Sequence, residues 1–191
     1  GCHGAPNGFG DSQSIAIGIE NNNIVGEDRT GPRNQRRAPM VLNSAFYPRL
    51  MWNSRFKSLS GNPFDNNPGF QFPPPEGFEL SFLPHLLTAQ AFIPVTENVE
   101  MAGFSPDVLA LDHEAIRNAV VARLNANDEY RRLFGKSFPE VNGGDPISYE
   151  MLGKAIAEFE FTLVYAGAPI DKFARGQKNA MTDDEKRGAL L

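Results

Sequence analysis

The chain has 191 residues, of which 41% are apolar and 10% aromatic, enough for a packed core and too much for a wholly disordered chain. A net charge of −5 argues against general nucleic-acid binding, and no run of ~18 apolar residues is present to span a membrane. The single cysteine, Cys2, excludes an internal disulfide framework and a zinc site built from cysteines alone.

Taken in chain order, the first half is rich in turns. Gly and Pro number 33, and 19 of them fall in residues 1–80. Pro6-Asn7-Gly8, Gly10-Asp11, Asn21-Asn22-Asn23 and Gly31-Pro32 punctuate the stretch from Cys2 to Asn43. Ser14 to Ile19 alternates apolar and small residues, a weak strand signal; a loop wrapped around something is the better reading. Residues 60–78, through Gly61-Asn62-Pro63, Asn67-Pro68-Gly69 and Pro73-Pro74-Pro75-Glu76-Gly77, read as one long loop, of the kind that carries function or marks an insertion.

Helices dominate the remainder. Leu80 to Phe92 reads as a short apolar helix. Ser105-Pro106 supplies an N-cap followed by proline at the first helical position. Asp112 caps a helix with Ile116, Ala119, Val120 and Leu124 on one face. Asp128 to Phe134 is another short helix, and Ser148 starts the longest, through Leu152, Ala155, Ile156, Phe159 and Leu163. Thr182-Asp183-Asp184-Glu185 is a capping box that opens a last helix. With no segment reading as a firm strand, the expected class is all-α with long loops.

Gly1-Cys2-His3 matches the end of C-x-x-C-H, the pattern that attaches a haem through two thioethers and sets the adjacent histidine on the iron. Alone, a Cys-His pair at a chain end is equally what an ordinary terminus looks like. Further motifs strengthen the haem reading. Arg36-Arg37-Ala38-Pro39-Met40-Val41-Leu42-Asn43-Ser44-Ala45-Phe46 with Leu50-Met51-Trp52-Asn53-Ser54-Arg55 resembles the R-N-x-P-x-x-x-N-x-x-F…F-W-D-G-R pattern of the bacterial di-haem cytochrome c peroxidases, a family that includes MauG-type enzymes. Thr88-Ala89-Gln90-Ala91-Phe92 through Asn98-Val99-Glu100-Met101-Ala102 resembles its E-Q-A…N-P-x-E-M-x. Phe159-Glu160-Phe161-Thr162-Leu163 and Pro169-Ile170-Asp171-Lys172-Phe173-Ala174-Arg175-Gly176 resemble F-E-R-T-L and P-F-D-R-Y-x-x-G.

The resemblance runs along nearly the whole chain, in the family's order. It implies a cytochrome c-like haem domain over residues 1–165, and a linker with the first helix of a second such domain over 166–191. On this reading the chain lies between the family's two haem motifs, as part of a larger protein that carries two haems c, and is expected to be inactive alone. The resemblance implies reduction of hydrogen peroxide with electrons from a small donor protein, a cytochrome c or a cupredoxin, in the periplasm. It is compatible with a homodimer. Glu100 matches the family's acid–base glutamate, Gln90 the glutamine that orients peroxide, and Met101 a residue of the distal pocket. Cys2 would be a thioether anchor and His3 the proximal ligand of the haem iron. Trp52, the only tryptophan, matches the family's relay between haems, and Arg55 is placed to pair with a haem propionate. Read without the resemblance, Glu100 and Gln90 are ordinary surface groups and Trp52 an ordinary core residue.

Some positions depart from the pattern. Asn53 and Ser54 replace the aspartate and glycine after the tryptophan, and Arg37 stands where many members have an asparagine for an interdomain calcium, which counts against that ion. Histidine occurs only at positions 3, 85 and 113. The loop histidine that closes the resting haem in many members therefore has no counterpart between residues 4 and 84. His85 is the one candidate for that gating role, although both it and His113 read as surface residues. Two rival functions remain open: a MauG-like oxidase acting on a protein or organic substrate, and a non-catalytic electron-transfer cytochrome.

Overall fold

The structure, a computed structural model, describes residues 2–13, 15–16, 18–22, 24, 27–32, 34, 36–73, 80 and 82–191. The strand signal at Ser14–Ile19 includes residues outside that set, as does the proline-rich run 74–79. Eight α-helices appear among the described residues: α1 (Leu86–Gln90), α2 (Pro106–Leu109), α3 (His113–Asn125), α4 (Asp128–Ser137), α5 (Pro139–Asn142), α6 (Tyr149–Phe161), α7 (Pro169–Ala174) and α8 (Asp183–Gly188).

The expected starts hold wherever a capping side chain was present. Ser105, Asp112, Ser148 and Thr182 each accept a backbone N–H of the first turn. The helix expected from Leu80 shortens to Leu86–Gln90. Pro84 disfavours helical backbone at Leu83, and His85 is extended at φ −152°.

The all-α expectation needs correction. β1 (Arg49–Leu50), β2 (Phe56–Ser58) and β3 (Phe70–Gln71) form an antiparallel sheet with Leu50 opposite Phe56 and Ser58 opposite Phe70. β3 lies within the stretch read as loop. Strands of two or three residues are too short for a periodic signal. Their alternation becomes legible only against the core, where Phe56 and Ser58 point inward and Lys57 does not.

The main core joins this sheet to α1. Phe56, Phe70 and Phe72 meet Leu83, Leu86, Ala89, Phe92 and Ile93. Helix α6 packs on α1 through a row of small residues, Gly153 and Ala157. A Cβ at Gly153 would stand 3.0 Å from the Phe92 ring and 3.2 Å from the Thr88 carbonyl, so the approach requires glycine. The apolar face expected on α6 holds in part: Leu152 packs on the core and Leu163 is buried, whereas Ile156 and Phe159 face outward. On α3, Ala119 likewise faces out, and Val121 joins Val120 against the core.

His85 is buried, not a surface residue as expected. Its Nδ1 accepts the Leu87 N–H at 3.0 Å, capping α1, while Phe64 and Phe161 stand edge-on to the ring at 4.7 and 4.8 Å. Capping through Nδ1 requires the neutral ring, and burial lowers its pKa below the ordinary 6.5, against a smaller opposing influence from the Ala45 backbone. A histidine with a depressed folded pKa contributes stability above its unfolded pKa, and that contribution is lost as pH falls through the folded value. His85→Phe should therefore cost about 1 kcal/mol at pH 8 through loss of the cap. Urea unfolding at pH 8 and pH 5 should show a smaller loss of stability on acidification in the variant than in the wild type.

Candidate functional site

The segment from Gln90 to Ala102 carries the catalytic candidates. Gln90 ends α1, a helix fixed at both ends: His85 caps its start, and Tyr149 donates its hydroxyl to the Ala91 carbonyl at 3.1 Å. Asn98–Ala102 then forms one π-helical turn, in which the N–H groups of Met101 and Ala102 both reach the Glu97 carbonyl, at 3.0 and 3.1 Å. Such turns are rare and are frequent at functional sites. The Asn98 side chain closes the turn on the Gly103 carbonyl at 2.7 Å.

The amino-terminal loop holds this turn from outside. Ile19 N–H and the Asn34 side chain both reach the Val99 carbonyl, and Glu20 Oε1 accepts the Phe104 N–H at 2.9 Å. Gly18, at φ +72°, allows the approach: a Cβ there would lie 2.2 Å from the Val99 carbonyl oxygen.

Glu100 is largely withdrawn from water. Desolvation raises its carboxyl pKa most, the negative charge of Glu97 raises it further, and the Arg55 guanidinium pulls it back. Arg55 is thus electrically linked to Glu100, and it lies over the Phe56 ring at 4.9 Å. It reaches this position because the tight turn between β1 and β2, with Met51 at φ +69° and Ser54 at φ +56°, delivers it at the foot of β2. Trp52, at the tip of that turn, is 63% exposed and donates its indole N–H to the Arg37 carbonyl at 2.8 Å. Met101 also faces outward.

A second group gathers at the amino terminus. Cys2 is a half-buried free thiol. His3 donates Nδ1–H to the Phe9 carbonyl at 2.9 Å, which sets the ring's tautomer and leaves the Nε2 lone pair for a metal. The bridge between Gly4 and Gly10 forms the small loop that makes this bond. The Phe9 ring meets the exposed Phe159 of α6 at 5.8 Å.

Two groups escaped the sequence reading. The Phe9 carbonyl has no side-chain signature at all. Glu160 stood inside a quoted motif without a role, and desolvation pushes its carboxyl up to about 7.

Residues 1–179 match the family model for the di-haem cytochrome c peroxidases. The chain is 28% identical to the methylamine utilization protein MauG of Methylophilus methylotrophus, over 98% of this chain and 40% of that protein. It is 32% identical to the cytochrome c551 peroxidase of Nitrosomonas europaea, over 84% of this chain and 34% of that one. The crystal structure of a MauG-like protein associated with microbial copper homeostasis superposes with a TM-score of 0.58 at 23% identity, over 98% of this chain and 40% of that one, and shares the fold. The chain therefore belongs to the di-haem cytochrome c peroxidase family, and it spans well under half the length of these relatives.

The opposing charges around Glu100 set the direction of its titration. With Glu97→Gln the Glu100 carboxyl should ionise at lower pH, and with Arg55→Gln at higher pH. Carboxyl infrared difference spectra across a pH series would show both displacements.

Proposed function

We propose that this member of the di-haem peroxidase family forms the peroxide-binding half of an enzyme that reduces hydrogen peroxide with electrons from a small redox protein. The observation that carries the reading is Glu100: a carboxyl in a π turn, its pKa raised by burial and by Glu97 and restrained by Arg55. That balance suits a group that must both take and return a proton.

The residues at the amino terminus fit haem c. Cys2 offers a thiol, His3 presents Nε2 with its other nitrogen held by the Phe9 carbonyl, and an exposed apolar ring, Phe159, flanks Phe9. When bound, haem c supplies the iron that takes peroxide and passes it electrons. The chain's own part is proton movement and orientation. Glu100 as carboxylate accepts a proton from one peroxide oxygen and gives it to the other, which leaves as water when the O–O bond breaks. Gln90, at the fixed end of α1, orients the peroxide by hydrogen bonding, and Met101 borders the pocket. The Phe9 carbonyl fixes the tautomer and orientation of the His3 ring. Arg55 keeps Glu100 ionisable, beside any pairing with a propionate. Trp52, exposed at its turn, serves as the electron relay.

Residues 1–165 form the peroxidatic domain, and 166–191 the linker and first helix of a second haem domain. The outward-facing Ile170, Phe173 and Leu190 suit burial in such a domain. Because haem c is attached outside the bacterial cytoplasm, the reading places the protein in the periplasm; among the described residues no helix is long and apolar enough to cross a membrane.

A MauG-like oxidase is the second reading, favoured by matches to MauG proteins over 98% and 100% of the chain. Turnover with reduced cytochrome c separates the two, since only the peroxidase uses it.

In the full-length protein Glu100→Gln should lower peroxide turnover by ~10²–10⁴-fold; an unchanged rate would leave a non-catalytic electron-transfer cytochrome. His85, bound in its cap between two aromatic rings, is not free to act as a gate. The oxidised full-length protein should therefore react with peroxide without prior reduction, and a low-spin bis-histidine spectrum at the peroxidatic centre would refute this.

A further inference from the structure

Positive charge is concentrated in one stretch of an acidic chain. From Arg29 to Phe64 there are seven Arg and Lys residues and no Asp or Glu, while the remaining residues carry 11 cations against 23 carboxylates. The fold turns part of this stretch into a surface. Arg49 on β1 stands directly opposite Lys57 on β2, and Lys57 directly opposite Gln71 on β3. Directly opposite residues share a face of a sheet, and Phe56 and Ser58 take the inner one, so Arg49, Lys57 and Gln71 form a row across the outer face. At the tip of the turn between β1 and β2, the bond from the Trp52 indole to the Arg37 carbonyl brings the exposed pair Arg36-Arg37 against the same hairpin.

These cations are not neutralised within the described chain. Among the described residues Arg36, Arg37, Arg49 and Lys57 form no ion pair, and the ion pairs present lie on α4, α6 and α8. Like charges directly opposite one another destabilise a sheet. The Arg49–Lys57 pair therefore costs the fold stability that an anionic partner would return. Arg55, at the end of the same turn, is instead taken up by Glu100 and the Phe56 ring.

We propose that the outer face of the sheet, with Arg49, Lys57, Arg36 and Arg37, is the docking surface for a small electron-donor protein that presents carboxylates around its redox centre. This inference rests on the reading of the protein as a peroxide reductase fed by such a donor. The position favours a donor over other polyanions. The cations border Trp52, the relay of that reading, and the net charge of −5 repels an extended nucleic acid or an anionic membrane that reaches beyond the patch. A local patch of this kind steers encounter and sets orientation more than it adds affinity, which suits a complex that must part after each transfer. Each encounter oxidises one donor by one electron. Two encounters supply the two electrons that, with two protons, turn one hydrogen peroxide into two waters.

The test uses the full-length, haem-loaded protein and two forms of one probe, zinc-substituted cytochrome c with its lysines free or succinylated, which reverses the charge around the porphyrin edge. Docking is read, without turnover, as quenching of the zinc-porphyrin fluorescence by the haems. At low salt the succinylated probe should bind about tenfold more tightly than the free-lysine probe, and lose that advantage at about 0.2 M NaCl. Lys57→Glu turns the like-charge pair with Arg49 into an opposite-charge one. It should weaken binding of the succinylated probe several-fold while Tm stays level or rises. Lys136→Glu on α4 makes the same charge change outside the patch and should alter binding by less than about twofold. Equal or tighter binding of the free-lysine probe, or equal losses with Lys57→Glu and Lys136→Glu, would overturn the proposal. So would co-sedimentation with phosphatidylglycerol vesicles in place of binding to the succinylated probe. None of these outcomes depends on peroxide, so a failed docking and a failed peroxide reading, tested by Glu100→Gln, are told apart.

Discussion

Helix α1 has five residues, too few to be stable alone, and the rest of the fold is arranged to hold it. His85 satisfies its first turn, Tyr149 binds the carbonyl just past its end, and Gly153 lets α6 approach to van der Waals distance of the Thr88 carbonyl. The sheet exists largely to cover the opposite side, since its inward residues are the phenylalanines that meet Leu83 and Leu86. Because α1 cannot hold its shape unaided, the position of Gln90 depends on these packing contacts rather than on helix propensity. A residue placed this way sits on the rigid core, although the chain on either side is loop.

Backbone groups do much of the positioning at the functional residues. The Phe9 carbonyl orients His3, the Val99 carbonyl anchors the amino-terminal loop, and the Glu97 carbonyl collects the π turn that presents Glu100. The Phe9 carbonyl takes only Nδ1–H of His3 and leaves its Nε2 available. At Glu100 the electrostatics are a balance: burial and Glu97 favour the neutral acid, while Arg55 favours the anion.

The sequence made some of this legible and hid the rest for physical reasons. Helix starts were readable because a capping side chain is a local signal: Ser105, Asp112, Ser148 and Thr182 act within three residues of themselves. The strands were not, since Phe56-Lys57-Ser58 alternates over three residues and only the facing Phe70 and Phe72 give that alternation meaning. Part of the inward face of α6 was misread for a related reason, although Leu152 and Leu163 do turn inward. Apolar size pointed to Ile156 and Phe159, whereas the close approach of α1 selected the small row of Gly153 and Ala157. His85 was read as a surface residue because histidine is polar, and no local pattern announces that two distant phenylalanines enclose it. Glu100 and Arg55 were singled out by motif, but their electrostatic link spans 45 residues of chain and belongs to the fold alone.

Among the exposed large apolar side chains, three stand close in sequence or space to residues with proposed chemistry. Trp52 is 63% exposed, Met101 59% and Phe159 53%, whereas the side chains of Leu83, Leu86 and Leu87 at α1 are almost wholly buried. Scattered exposed apolar groups need no explanation, but Trp52 shares the turn that ends at Arg55, Met101 follows Glu100 in the chain, and Phe159 lies against the ring of Phe9, whose carbonyl orients His3. Covering them with water costs free energy that a flat apolar cofactor and a neighbouring domain would recover. On the proposed function, these polar groups form one half of a reaction centre and the exposed apolar side chains border it. On the reading developed above, that border is the surface against which haem and the second haem domain rest, so the same contacts that bind the cofactor also withdraw Glu100 further from water.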